Sequence, residues 1–222
     1  MVRRYAAEGV GSLLLSATVI GSGIMAERLA AGNAAVALLA NTVATVAVLT
    51  VLISLFAPVS GAHFNPAVSV IQALRRLLSW SQAGVYILVQ VVGCCLGAIL
   101  AHAMFDLPLV QSSLHVRTGV GQWLAEMLAT LGLLLVVLGQ RRASDAPWMV
   151  ACWIGAAYWF TASTSFANPA ITIARSLTDT FAGIRSADVA PFIAMQGVGA
   201  MLGFMLARAL FASDTVHRAA GR

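Results

Sequence analysis

The chain has 222 residues, 60% apolar and only 9% charged, with a formal net charge of +5 and a mean hydropathy of +0.89. Soluble domains carry roughly 25% charged residues, so the composition excludes an ordinary soluble domain and reads as a membrane protein. The 13 basic residues are all arginine and sit largely in pairs at the ends of apolar runs, with no aromatic or motif context for nucleic-acid binding.

The opening MVRRYAAEGVGSLLLSATVIGSG resembles a signal peptide, but the spans behind it and an internal repeat mark it as a retained first helix. Uncharged runs cover 9–26, 29–74, 77–105, 127–140, 146–174 and 189–207. Most fit one crossing of about 20 residues. The second does not: as helix it would reach roughly 70 Å, over twice a ~30 Å hydrocarbon core. Pro58, Gly61 and Asn65-Pro66 mark its break, which gives a full span to about Ala57, a loop, and a short helix from Pro66. The run 146–174, continuing toward Phe181, divides in the same way at Asn168-Pro169. The expectation is an all-α membrane protein of six transmembrane helices plus two re-entrant half-helices, forming a single domain over 1–222. Loop backbone cannot face lipid, so the two breaks imply an internal cavity. Cys94, Cys95 and Cys152 fall within apolar runs and read as reduced packing residues.

Each half-helix begins with the same tripeptide, Asn65-Pro66-Ala67 and Asn168-Pro169-Ala170. The repeat extends further: QVVGCCLGAILA (90–101) and QGVGAMLGFMLA (196–207) agree at seven positions. The halves are 1–110 and 118–210, and three spans in each make the second enter from the opposite side, an inverted repeat. Gly93/Gly97 and Gly199/Gly203 are spaced for close helix packing. Inversion brings the two half-helix N-termini together near the midplane. Asn65 and Asn168 are then N-caps and Pro66 and Pro169 first-turn residues. The amides donate into the cavity, and the positive helix ends repel cations. With cytoplasmic termini, nine arginines lie inside (Arg3, Arg4, Arg75, Arg76, Arg141, Arg142, Arg208, Arg218, Arg222) and four outside (Arg28, Arg117, Arg175, Arg185), which supports that orientation.

The two boxes, the stretch SGAHFNPAV, the acidic residues Glu8 and Glu126 in the first and fourth spans, and the six-plus-two layout together resemble the major intrinsic protein family, the aquaporins and aquaglyceroporins, over nearly the whole chain. The resemblance implies a right-handed bundle and a homotetramer with one pore per subunit, in the bilayer of a bacterial inner membrane, passively conducting water or small neutral solutes. It implies no cofactor, metal or catalysis. It also implies that Asn65 and Asn168 form the pore centre, that Gly61, Ala62, His63, Ser165, Phe166 and Ala167 line the path, and that Glu8 and Glu126 brace the re-entrant loops. For His63 a lining and a packing role stay open; His102 and His115 read as span-end and loop residues.

The family usually has an arginine after the second box; here Ile171 stands there. Ungapped counting from the two asparagines places the constriction on Thr45, Ala156, Ser165 and Ile171, none aromatic or charged. Such an opening should pass neutral polyols and hydroxides larger than water. ANPAITIARSLTDTFAGI and ALLANTVAT are similar to the bacterial arsenic-resistance-associated aquaglyceroporins, which implies arsenite as As(OH)₃ beside glycerol. A water-selective channel is the alternative, and a secondary transporter a distant one, since no coupling-ion ligands stand at the midplane. Arg175, four residues beyond Ile171, is a candidate outer-mouth charge, with a surface pair to Asp179 as the competing account.

Overall fold

The computed structural model describes residues 1–211; Arg218 and Arg222 of the charge count, and the C-terminus itself, lie outside the described residues. The described residues form, in order, the α-helices α1 Val2–Leu29, α2 Ala34–Ser60, α3 Pro66–Leu74, α4 Trp80–Met104, α5 Val120–Gly139, α6 Ala146–Phe160, α7 Pro169–Arg175 and α8 Ser186–Phe211, with a 3-10 turn Ala143–Asp145 before α6. Among the described residues there is no strand.

Counting uncharged runs underestimates three helices, α8 among them because Asp188 and Arg208 lie inside it. α1 starts at Val2 and α5 at Val120, because Glu8 and Glu126 lie inside them and are fully buried. Pro58 does not end α2. The helix runs through it to Ser60 and stops at Gly61, whose φ of 90° continues no right-handed helix. Among the described residues, five helices are long and apolar enough to cross a membrane. α6 has 15 residues, about 22 Å at ~1.5 Å per residue, so the expected sixth full span is a short one extended by the 3-10 turn. α7 ends at Arg175, and the chain from there to Phe181 is turn and coil.

The packing repeats between the halves. α1 lies against α4 and α2, as α5 lies against α8 and α6, and the halves meet chiefly along α2 and α6. Glycine allows the tight pairs. A Cβ on Gly93 would stand 2.4 Å from the Gly9 carbonyl oxygen, and one on Gly97 2.3 Å from that of Leu13. At the corresponding places in the second half, Gly199 faces the Met127 oxygen at 2.2 Å and Gly203 the Leu131 oxygen at 2.6 Å. The obstacle is backbone in all four, so no side-chain rotation relieves it. Gly199→Ala must push α8 off α5; a loss of about 1–3 kcal/mol is expected, read as a lower melting temperature of the detergent-solubilised protein.

Candidate functional site

Two loops, 61–65 and 164–168, enter the protein from their helices and end at the asparagines. Their backbones match residue for residue. Gly61, Ala62 and Phe64 have φ of 90°, 49° and 46°, and Thr164, Ser165 and Ala167 have 59°, 51° and 46°. Each non-glycine residue held there costs roughly 1–3 kcal/mol. A buried carboxylate holds each loop in that shape. Glu8 accepts from the backbone N–H of His63 (2.9 Å) and Phe64 (2.7 Å), from the Ser60 hydroxyl (2.6 Å) and from Gln90 Nε2 (2.7 Å). Glu126 accepts from the N–H of Phe166 and Ala167 (2.9 Å each) and from Gln196 Nε2 (2.6 Å). The two glutamines also donate to Ser69 (3.0 Å) and Thr172 (2.8 Å) on the half-helices. Gln90 and Gln196 were not singled out from the sequence, although both open the repeated 12-residue segment as polar residues in apolar helices.

Each asparagine joins the two halves. Asn65 Oδ1 accepts from Ala67 N (2.9 Å), and its Nδ2 donates to the Ala167 carbonyl (2.8 Å). Asn168 Oδ1 accepts from Ala170 N (3.0 Å) and Ile171 N (3.3 Å), and its Nδ2 donates to the Phe64 carbonyl (2.8 Å). One amide N–H is therefore spent on the opposite loop, and the other is left for the cavity.

That cavity, about 330 Å³, runs along both loops. Gly61, Ala62, His63, Phe64 and Asn65 line it from one side of the midplane, and Ser165, Phe166, Ala167 and Asn168 from the other. The remaining wall is largely aliphatic, from α1, α2, α5 and α6: Leu15, Leu49, Leu133 and Ile154 among others. His63 takes both roles left open for it, lining the cavity while its Nδ1 pairs with Ser69 Oγ at 3.0 Å and its ring meets Tyr86 edge-on at 5.3 Å. His102 is buried and tied on both nitrogens, to the Leu109 carbonyl (2.8 Å) and Thr178 Oγ1 (2.7 Å); His115 is an exposed loop residue.

Thr45, Ser165 and Ile171 line the cavity, but Ala156 does not: it faces outward and is exposed. The ungapped count back from Asn168 crosses the seven residues that separate it from α6, so it does not follow the helical phase of α6 and slips by two residues. Tyr158 stands on the wall instead, its hydroxyl 3.3 Å from Thr45 Oγ1. Two residues are about 200° around a helix, which carries the reading to the opposite face and replaces a methyl by a phenol. The wall is therefore neither free of aromatics nor uncharged. Arg175 lines it too, 3% exposed, its guanidinium carbon 3.4 Å from the Phe166 ring centroid and its Nε donating to the Ala182 carbonyl. No pair to Asp179 forms; that carboxylate accepts from the Leu114 N–H at 2.8 Å. Arg117, also missed, lies behind Phe166 with its guanidinium carbon 5.0 Å from the ring centroid, donating to the Gly183 (2.7 Å) and Ser163 (3.2 Å) carbonyls.

A profile described as Major intrinsic protein matches residues 1–165. The chain belongs to the major intrinsic protein family. It is a passive membrane channel for small neutral solutes and not an enzyme. It is 50% identical over 210 residues to Aquaglyceroporin AqpS of Rhizobium meliloti, covering 94% of this chain and 90% of that relative. A probable aquaporin, NIP4-2 of Arabidopsis thaliana, is 30% identical over 160 residues, 66% of this chain and 56% of its own length. The solved aquaglyceroporin of Plasmodium falciparum shares the fold, with a TM-score of 0.73 over 97% of this chain and 98% of that one at 20% identity. In this channel, Glu126→Gln removes the charge and replaces one of the two oxygens that accept loop N–H groups by a donating NH₂. Removing a charged hydrogen-bond partner costs about 1.5–3 kcal/mol, so the variant is expected to melt lower and to lose solute flux when both are measured on the same preparation.

Proposed function

We propose that the channel conducts neutral polyols and hydroxides, glycerol and As(OH)₃ among them, together with water, through the path that passes Arg175, Ile171, Tyr158 and Thr45 and crosses the midplane between Asn65 and Asn168. The observation that carries this reading is the two-sided cavity: a line of backbone and amide donors and acceptors along the loops faces an aliphatic wall. A solute with several hydroxyls on a compact body satisfies both sides at once, whereas an ion loses its hydration without full replacement. Ile171 at the position of the usual family arginine leaves room for such a body. The name of the rhizobial relative supports glycerol as one solute.

The two repeats form one channel domain, and four copies assemble in the bacterial inner membrane with the termini in the cytoplasm. The exposed Arg3, Arg4, Arg75, Arg76, Arg141 and Arg142 support this orientation, since the topology brings all six to one side. Glu8 and Glu126 brace the loops and relay no proton, for each is saturated by donors.

Ile171→Arg adds a second guanidinium one turn from Arg175, narrowing the path and offering five donors to it. Each added 1.4 kcal/mol of barrier is about a tenfold fall in rate. Glycerol and arsenite fluxes are expected to drop by about that factor or more, with water flux retained, in vesicles of known channel content. Equal loss of all three fluxes, or unchanged arsenite flux, refutes Ile171 as a selectivity residue.

A further inference from the structure

The outer end of the cavity holds more positive charge than a neutral-solute path requires. Arg175 is 3% exposed and Arg117 7%, and their guanidinium carbons lie 3.4 and 5.0 Å from the centroid of the same ring, Phe166. Among the described residues neither guanidinium pairs with a carboxylate. Asp188 is taken by Arg185 (3.0 Å) and by the Arg117 backbone N–H (2.8 Å). Glu126, within electrostatic reach of both arginines, is occupied by Phe166, Ala167 and Gln196. Burial draws Arg117 down to about 10, still cationic near neutral pH.

The two arginines differ in what remains of their donors. Arg117 spends Nε and Nη1 on carbonyls. Arg175 spends Nε on Ala182, and its two terminal nitrogens meet no acceptor among the described residues. The remaining edge, one N–H on each terminal nitrogen, is the pair of parallel donors that grips two oxygens of an oxyanion. Phe166 fixes the plane of that edge, so little side-chain entropy is lost when it is filled. A deeply buried, carboxylate-free guanidinium on a cavity wall therefore offers an anion both a charge and two aligned donors.

We propose that the outer mouth is a binding site for small monovalent oxyanions, carboxylates and sulfonates, which dock on Arg175 and compete with neutral solutes for entry. The anion stops there. Inward of Arg175 stand Ile171 and then the midplane, where Asn65 and Asn168 have one uncommitted N–H each, too few to replace the hydration of a charge. The site rests on the reading that Arg175 faces the solute path.

The probe is methanesulfonate, which is anionic at all working pH and has no neutral acid to leak through lipid. Glycerol uptake into proteoliposomes is measured in sodium methanesulfonate against sodium chloride of equal ionic strength. At an anion concentration about twice its Kd, competition slows uptake about three-fold at low glycerol, and high glycerol relieves it. The ratio between the two salts is read within each variant. It is expected to fall to unity in Arg175→Gln and to persist in Arg28→Gln, an exposed arginine bonded to the Phe105 carbonyl away from the cavity. If Arg175→Gln does not assemble, Arg175→Lys replaces it, keeping the charge but losing the paired donors, and the effect should shrink about tenfold in apparent affinity. Melting of the solubilised protein gives a second readout independent of flux: methanesulfonate raises the midpoint of wild type above chloride and leaves that of the Arg175 variant unmoved. Equal uptake in both salts together with equal melting, or inhibition that survives in the Arg175 variant, overturns the proposal. Wild type that carries no glycerol in either salt overturns the function reading instead, and the melting comparison then decides the anion site alone.

Discussion

Each re-entrant loop is a short piece of chain whose backbone carbonyls and N–H groups lie at membrane depth, where no water outside the protein can satisfy them, and which holds three residues at positive φ. Nothing local favours that shape in Ala62, Phe64, Ser165 or Ala167. What holds it is a buried carboxylate on a neighbouring helix, Glu8 for one loop and Glu126 for the other, each taking two successive backbone N–H groups and one glutamine amide. A charged acceptor gains about 1.5–3 kcal/mol per bond, enough to offset several residues of backbone strain. The half-helices, their caps and the cavity all follow from this arrangement, because a loop free to relax would not present its asparagine at the midplane.

Tight helix contact serves the same end. A carboxylate on α1 reaches the first loop only if α1 lies close to α4, from which Gln90 completes its shell, and Gly93 and Gly97 permit that approach. α5 and α8 repeat the device with Glu126, Gln196, Gly199 and Gly203. Core packing and the polar site are thus one construction: the glycines set the helix distance at which the glutamine reaches the carboxylate, and the carboxylate sets the loop.

The repeat makes the frame symmetric but not the chemistry on it. Val68 in the first half corresponds to Ile171, His63 to Phe166, and Gln72 to Arg175, each pair 103 residues apart. All six line the cavity. The midplane is therefore nearly even-handed, with one asparagine from each side. Only one end of the path has a guanidinium stacked on a phenyl ring, while its counterpart is a neutral amide. Any chemical difference between the two ends of the cavity must arise from these unmatched pairs, since the matched ones act equally on both sides.

The sequence by itself determined the membrane class, the two broken helices, the inverted repeat and the membership of each asparagine in a cap, because these depend on local composition, on proline and asparagine chemistry, and on counts along the chain. The close-packing glycines were legible for the same reason. Which residues share the cavity wall around Arg175 was decided only by the tertiary structure. A count back from Asn168 crosses the seven residues between it and α6 and so says nothing of the helical phase of α6, which turns Ala156 outward and Tyr158 inward. The Arg175 side chain could be assigned to a helix face but not to a partner. Its position depends on Phe166, Ala182 and the nearby Arg117, which meet it only after the outer connections have folded over α7, a contact between distant segments that no local pattern records.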